Sequence, residues 1–196
     1  ECRCSPYHQN TALYPAIDLL QRVLQWQRDD PPDTRLQKLE TARTPYHLAL
    51  AEAVPLTAAL LSLQLPAERY PSLFLTPQHQ KQKTFEVMLT LLLELASQQP
   101  VLLIVEDLHW VDAESQAALD LLVESLPGRC VLLLVNYRPE YQDHWASKTY
   151  HTRLRVDPLP PESADELLAA LLGDAPAIGP LKALLKDRTG GNPLFL

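Results

Sequence analysis

Two stretches of five residues, 101–105 and 131–135, contain no polar side chain. Unbroken apolarity over so short a length is the habit of strands buried on both faces, as in parallel sheets covered by helices. Between them the spacing changes. Ala118, Leu121, Leu122 and Leu126 recur at helical intervals, Asp112 stands where an N-cap belongs, and Pro127-Gly128 follows. Together the three pieces predict a strand–helix–strand crossover, which is right-handed in nearly all sheets.

The flanking patterns extend this unit. Residues 1–5, "ECRCS", alternate like the end of a strand. Leu13, Ile17, Leu20 and Leu24 then repeat at helical spacing, with Pro15 suited to a first helical turn. From 29 to 76 the chain is punctuated by Pro31, Pro32, Pro45, Pro55, Pro66 and Pro71, with Pro77 just beyond; these prolines set the limits of short helical pieces near 34–41 and 56–63. This predicts a helical insertion rather than a separate domain. Residues 79–97 place Phe85, Met88, Leu89, Leu92 and Ala96 on one face of a long amphipathic helix that ends near Pro100. A further short strand is expected at 153–156. After Pro161 the pattern is helical, first Leu167, Leu168, Leu171 and Leu172 up to Gly173, then Leu181, Leu184 and Leu185 up to Gly190-Gly191.

Composition narrows the function classes. The chain has 196 residues, 46% of them hydrophobic, enough for one good core. Its apolar runs fall well short of the roughly 20 residues that span a bilayer, and residue 1 does not open a secretory signal, so a cytoplasmic protein without membrane contact is expected. With 24 acidic against 17 basic residues the net charge is -7, and no basic stripe argues for nucleic acid. Three cysteines, Cys2, Cys4 and Cys130, provide neither a disulfide framework nor a four-ligand zinc set, which leaves reduced thiols as the expectation.

The chemistry concentrates in "VLLIVEDLHWVD", residues 101–112, where an apolar strand ends in Glu106 and Asp107. Open parallel sheets bind ligands beyond the carboxyl ends of their strands. Two carboxylates at such an end cost desolvation free energy unless cations or N–H groups compensate, and Mg²⁺ held by one or two carboxylates plus phosphate oxygens is a common solution. The plainer alternative turns Glu106 to solvent and uses Asp107 and Asp112 to cap the next helix. "LLIVED" would also suit the first strand of a response-regulator receiver, with Asp157 at a tempting distance. A receiver, however, does not carry some hundred residues of helix before that strand. His109 and Trp110 are expected to support the acids from behind by packing or hydrogen bonding.

The longer text "PVLLIVEDLHWVDAES" resembles the Walker B segment of STAND ATPases, signal-transducing members of the AAA+-like P-loop NTPases. "ECRCSPYHQNTALYP" resembles the segment after the first helix in ATPase modules attached to class III adenylate cyclases and transcriptional regulators. "VLLLVNYRPEY" looks like the family's next strand with its sensor arginine, and "RTGGNPLFL" is similar to its Gly-x-Pro motif. The resemblance implies an α/β fold: a partial P-loop NTPase parallel sheet with flanking helices over 1–158, including the helical insertion at about 29–78, and the start of a helical lid over 159–196. It assigns Glu106 or Asp107 to Mg²⁺ and the attacking water, Arg138 to the γ-phosphate, and Gly191 with Pro193 to the base side of ATP. A surface pairing of Arg138 with Glu140 or Asp143, and a merely helix-breaking Pro193, are the competing expectations. The implied activity is an ATP-binding and hydrolysing switch that controls an attached output domain, with ATP or ADP, that domain and a nucleotide-dependent oligomer as partners.

Two departures from the family stand out. Glu106 occupies a position where many members have Asp. All five glycines lie at or beyond Gly128, so the phosphate loop G-x-x-x-x-G-K-[ST] that must precede a Walker B strand is not in these residues. The expectation is that it lies upstream and that the segment alone is inactive. A non-catalytic NTPase-like scaffold is the rival expectation from another class.

Overall fold

Three parallel strands form the sheet in the order β1-β2-β3. They are β1 (Cys2–Arg3), β2 (Val101–Glu106) and β3 (Val131–Val135). The computed structural model describes residues 1–43, 50–71, 73–142 and 144–196, so the expected helix limit at Pro45 and the expected partner Asp143 lie outside the described residues. Two compact units result, Glu1–Tyr150 and His151–Leu196.

In the first unit the helices are α1 (Tyr14–Val23), α2 (Pro32–Arg43), α3 (Leu50–Leu60), α4 (Pro77–Gln98) and α5 (Ala113–Ser125). The two apolar runs pair in register, Val101 with Val131 through Val105 with Val135, and Cys2 lies opposite Val105. Alternation along the strands then sorts the side chains. Leu103, Val105, Leu133 and Val135 join Cys2, Cys4, Leu108, Val123 and Trp145 in one core, with Leu19 of α1 and Leu119 of α5 packed against it. Each fully buried side chain of this size contributes about 1.5–3 kcal/mol.

The opposite face departs from the expectation of burial on both sides. Leu102, Leu132 and Leu134 are 55%, 65% and 49% exposed. Helices α1 and α5 pack on the other face, so the unbroken apolar run here records an apolar surface rather than a buried one. Similarly, α5 turns Leu122 and Val123 inward while Leu121, expected on the inner face, is exposed.

The insertion between α1 and α4 is helical, as its pattern predicts, and builds its own core from Leu24, Leu36, Leu39, Val54, Ala58 and Leu61. Pro55 does not limit a helix but sits inside α3. Its missing N–H is tolerated because Ala53, Val54 and Leu56 around it are almost fully buried, and tertiary packing overrides local propensity. Thr76 caps α4, accepting from the N–H of His79 at 3.3 Å, and Pro77 follows in the first turn. Phe85 and Ala96 are buried as expected, whereas Met88, Leu89 and Leu92 line an apolar cavity of about 330 Å³ shared with α1, α5 and the sheet.

The second unit contains α6 (Pro161–Leu172), a 3-10 turn (Pro176–Ile178) and α7 (Gly179–Thr189). Residues 153–156 are not a strand; no ladder partner reaches them among the described residues. Leu168 is fully buried, but Leu171, Leu172, Leu181 and Leu184 are exposed.

Candidate functional site

The carboxyl end of the sheet gathers the polar groups. Register places Arg3, the last residue of β1, beside Glu106, the last of β2. The Arg3 guanidinium donates through Nε at 2.9 Å and through a terminal nitrogen at 2.5 Å to Glu106 Oε2. Its Nε lies 4.0 Å from Asp107 Oδ2. The hydrogen bonding to the Glu106 carboxylate, followed by that carboxylate's charge, holds Arg3 above its ordinary pKa. One of the two acids is thus already neutralised by a neighbouring strand.

Asp107 has φ 56, in the left-handed region that residues with a Cβ seldom adopt. Its N–H donates to Asn136 Oδ1 at 2.7 Å. The side chain of Asp107 is 47% exposed. It caps nothing: the following 3-10 turn, Leu108–Trp110, receives no side-chain cap bond from it. Of Asp107 and Asp112, only Asp112 caps a helix. Oδ1 of Asp112 accepts from the N–H groups of Glu114 at 3.1 Å and Ser115 at 2.9 Å, and Oδ2 accepts from the Ser115 hydroxyl at 2.6 Å. The plainer expectation is therefore met for Asp112 and not for Asp107.

His109 packs obliquely on Trp110, with ring centroids 5.0 Å apart, but neither ring nitrogen has a hydrogen-bond partner among the described residues. Packing, not hydrogen bonding, is its observed contribution. Arg138 is exposed two residues beyond Asn136; its carbonyl accepts from the N–H of Tyr141 at 3.0 Å. Its guanidinium pairs with no described residue, Glu140 included. Glu106, at the end of β2, and Asp107 and Arg138, just beyond β2 and β3, thus all lie at the carboxyl ends of adjacent strands.

Gly191 and Pro193 belong to the second unit. Gly191 has φ 80, its carbonyl accepts from the N–H of Leu159 at 2.9 Å, and a Cβ there would meet the Leu159 carbonyl oxygen at 2.7 Å. That close approach accounts for the glycine by itself. Pro193 lies exposed in the turn after α7.

Two residues of this edge escaped sequence reasoning, Arg3 and Asn136. Asn136 had a signal, being the first polar residue after an apolar strand. Arg3 had none, because its partner lies 103 positions away.

Among the described residues no three His, Cys, Asp or Glu side chains converge as a ready metal site. The two carboxylates fit the mode in which Mg²⁺ keeps its waters and takes further oxygens from a phosphate. The chain supplies no glycine-rich loop to hold that phosphate.

Comparison with known proteins adds little. No family model matches the chain, and no solved structure matches it. It is 30% identical over 127 residues to an uncharacterised protein of Rhizobium meliloti (strain 1021), an alignment covering 61% of this chain. The chain spans only 12% of that protein's length. No helix among the described residues is long and apolar enough to cross a membrane.

Proposed function

We propose that this chain forms part of a STAND-type ATPase switch, in which nucleotide binding and slow hydrolysis control an output domain of a larger protein. The observation that carries this reading is the arrangement at one sheet edge. Two acids end the central parallel strand, and an arginine with no described partner follows the next one. The resemblance of these same segments to Walker B and sensor sequences supports it.

In this mechanism Asp107, the less engaged acid, would hold the attacking water or a hydrated metal, and Arg138 would meet the terminal phosphate. Glu106 is held by Arg3 and shapes the site's charge. Bound Mg²⁺ would supply the charge stabilisation on which phosphoryl transfer mainly depends. The phosphate cradle would have to come from residues outside this chain, and the outer edge of β3, which no strand pairs among the described residues, offers a place for a further strand. ATP and ADP, the output domain and further copies of the protein are the proposed partners.

The test uses the full-length protein. Asp107→Asn should slow hydrolysis much more than it weakens ATP binding, since a water-orienting carboxylate acts mainly in the transition state. An intact phosphate loop with unchanged hydrolysis in Asp107→Asn would overturn the assignment. The scaffold alternative draws on Arg3, which already satisfies one acid. It predicts no nucleotide binding in the full-length protein at all.

A further inference from the structure

We propose that Asn136 is a positioning residue, whose side chain holds a bulge at Asp107 and so keeps the Asp107 carboxylate at the edge of the sheet. The inference rests on the ATPase reading for what Asp107 does there.

The ladder itself carries the argument. In a regular parallel pair, a residue donates to the carbonyl one position before its partner and accepts from the N–H one position after it. Asn136 donates to the Val105 carbonyl at 3.1 Å, so its carbonyl should accept from the N–H of Asp107. It accepts instead from Leu108, at 2.9 Å. Asp107 is therefore an extra residue in the strand, a bulge of the kind that re-aims side chains beside functional sites. Its φ of 56 is the backbone consequence. The N–H displaced from the ladder is taken by Asn136 Oδ1 at 2.7 Å, so a single residue brackets the bulge with its main chain and fills it with its side chain.

Without the bulge, strand alternation would carry the side chain at 107 to the face of Leu103 and Val105, against the buried core. A carboxylate there would be desolvated among apolar groups. With the bulge it remains substantially exposed. Asn136 thus decides which way the acid points without itself needing to touch a substrate.

The experiment compares wild type, Asn136→Ala and Asn136→Asp in the full-length protein. Hydrolysis kinetics and amide hydrogen exchange at Asp107 and Leu108 are the readouts. Aspartate keeps an acceptor for the Asp107 amide; alanine does not. In Asn136→Ala the Asp107 amide should exchange on the order of tenfold faster, and kcat should fall roughly 10²-fold with KM for ATP nearly unchanged, as expected when a reacting group is misplaced. Asn136→Asp should retain the amide protection, and it provides the folded comparison if the alanine variant does not fold. Unchanged Asp107 exchange in Asn136→Ala, or loss of protection in Asn136→Asp, would overturn the clamp. An intact clamp in a wild-type protein that neither binds nor hydrolyses ATP would instead sink the ATPase reading, and with it the catalytic consequence. Faster exchange with unchanged kcat would reduce Asn136 to a structural role and overturn the positioning claim.

Discussion

The carboxylate of Asp112 accepts the backbone N–H of Leu13 at 3.0 Å, across 99 positions of sequence. The same oxygen caps α5. Leu13 itself has φ 58 and opens α1 without a side-chain cap of its own, so one buried acid organises the starts of two helices.

Asp112→Ala should therefore destabilise the first unit by more than a simple cap, about 2–4 kcal/mol, because it orphans the buried Leu13 N–H as well as those of α5. Asp112→Asn keeps the Oδ1 acceptor and should cost less. Denaturant unfolding of the two variants checks the order, and equal losses would show that Oδ1 is not the important atom.

Cys4 lies in the core, and burial, as the largest cause, pushes its thiol from 9.0 up to about 12. Cys2 is shifted upward for the same principal reason. The unfolded chain releases these protons near pH 9, while the folded chain retains them. Stability from this source is complete below about pH 9 and is lost as pH rises towards 12. Unfolding midpoints measured across that window should fall. At pH 8 iodoacetamide should modify exposed Cys130 well before the two buried thiols, which become reactive only on unfolding.

Gly191→Ala should destabilise the second unit by at least about 1 kcal/mol, since the position combines a positive φ with a contact to the Leu159 backbone that a methyl group cannot occupy. Limited proteolysis should cut the variant faster beyond residue 150 than before it. Cleavage confined to the first unit would contradict this.

Arg138→Ala should leave folding stability unchanged, because no described residue pairs with the guanidinium. In the full-length protein it should narrow the difference between ATP and ADP affinity by roughly 1.5–3 kcal/mol, the scale of a hydrogen bond to a charged group. An unchanged ratio removes Arg138 from the γ-phosphate.

Element type was legible in the sequence wherever a local period or end signal was strong. The apolar runs became β2 and β3, Asp112 capped α5 through neighbours two and three residues on, and the leucine spacing after Pro161 became α6 and α7. Local hydrogen bonding and side-chain period suffice for such features because the partners are nearby in the chain. The acidic end of β2 was legible for the same reason.

Tertiary structure alone decided what depends on register and on which surfaces meet. It set Arg3 against Glu106, made Asp107 a bulge held by Asn136, and left Leu102, Leu132 and Leu134 on an uncovered face. It also carried α3 through Pro55. An apolar run specifies a strand but not how many of its faces are covered. A polar residue at a strand end similarly acquires its role only when a one-residue slip in the neighbouring ladder determines which N–H it must satisfy.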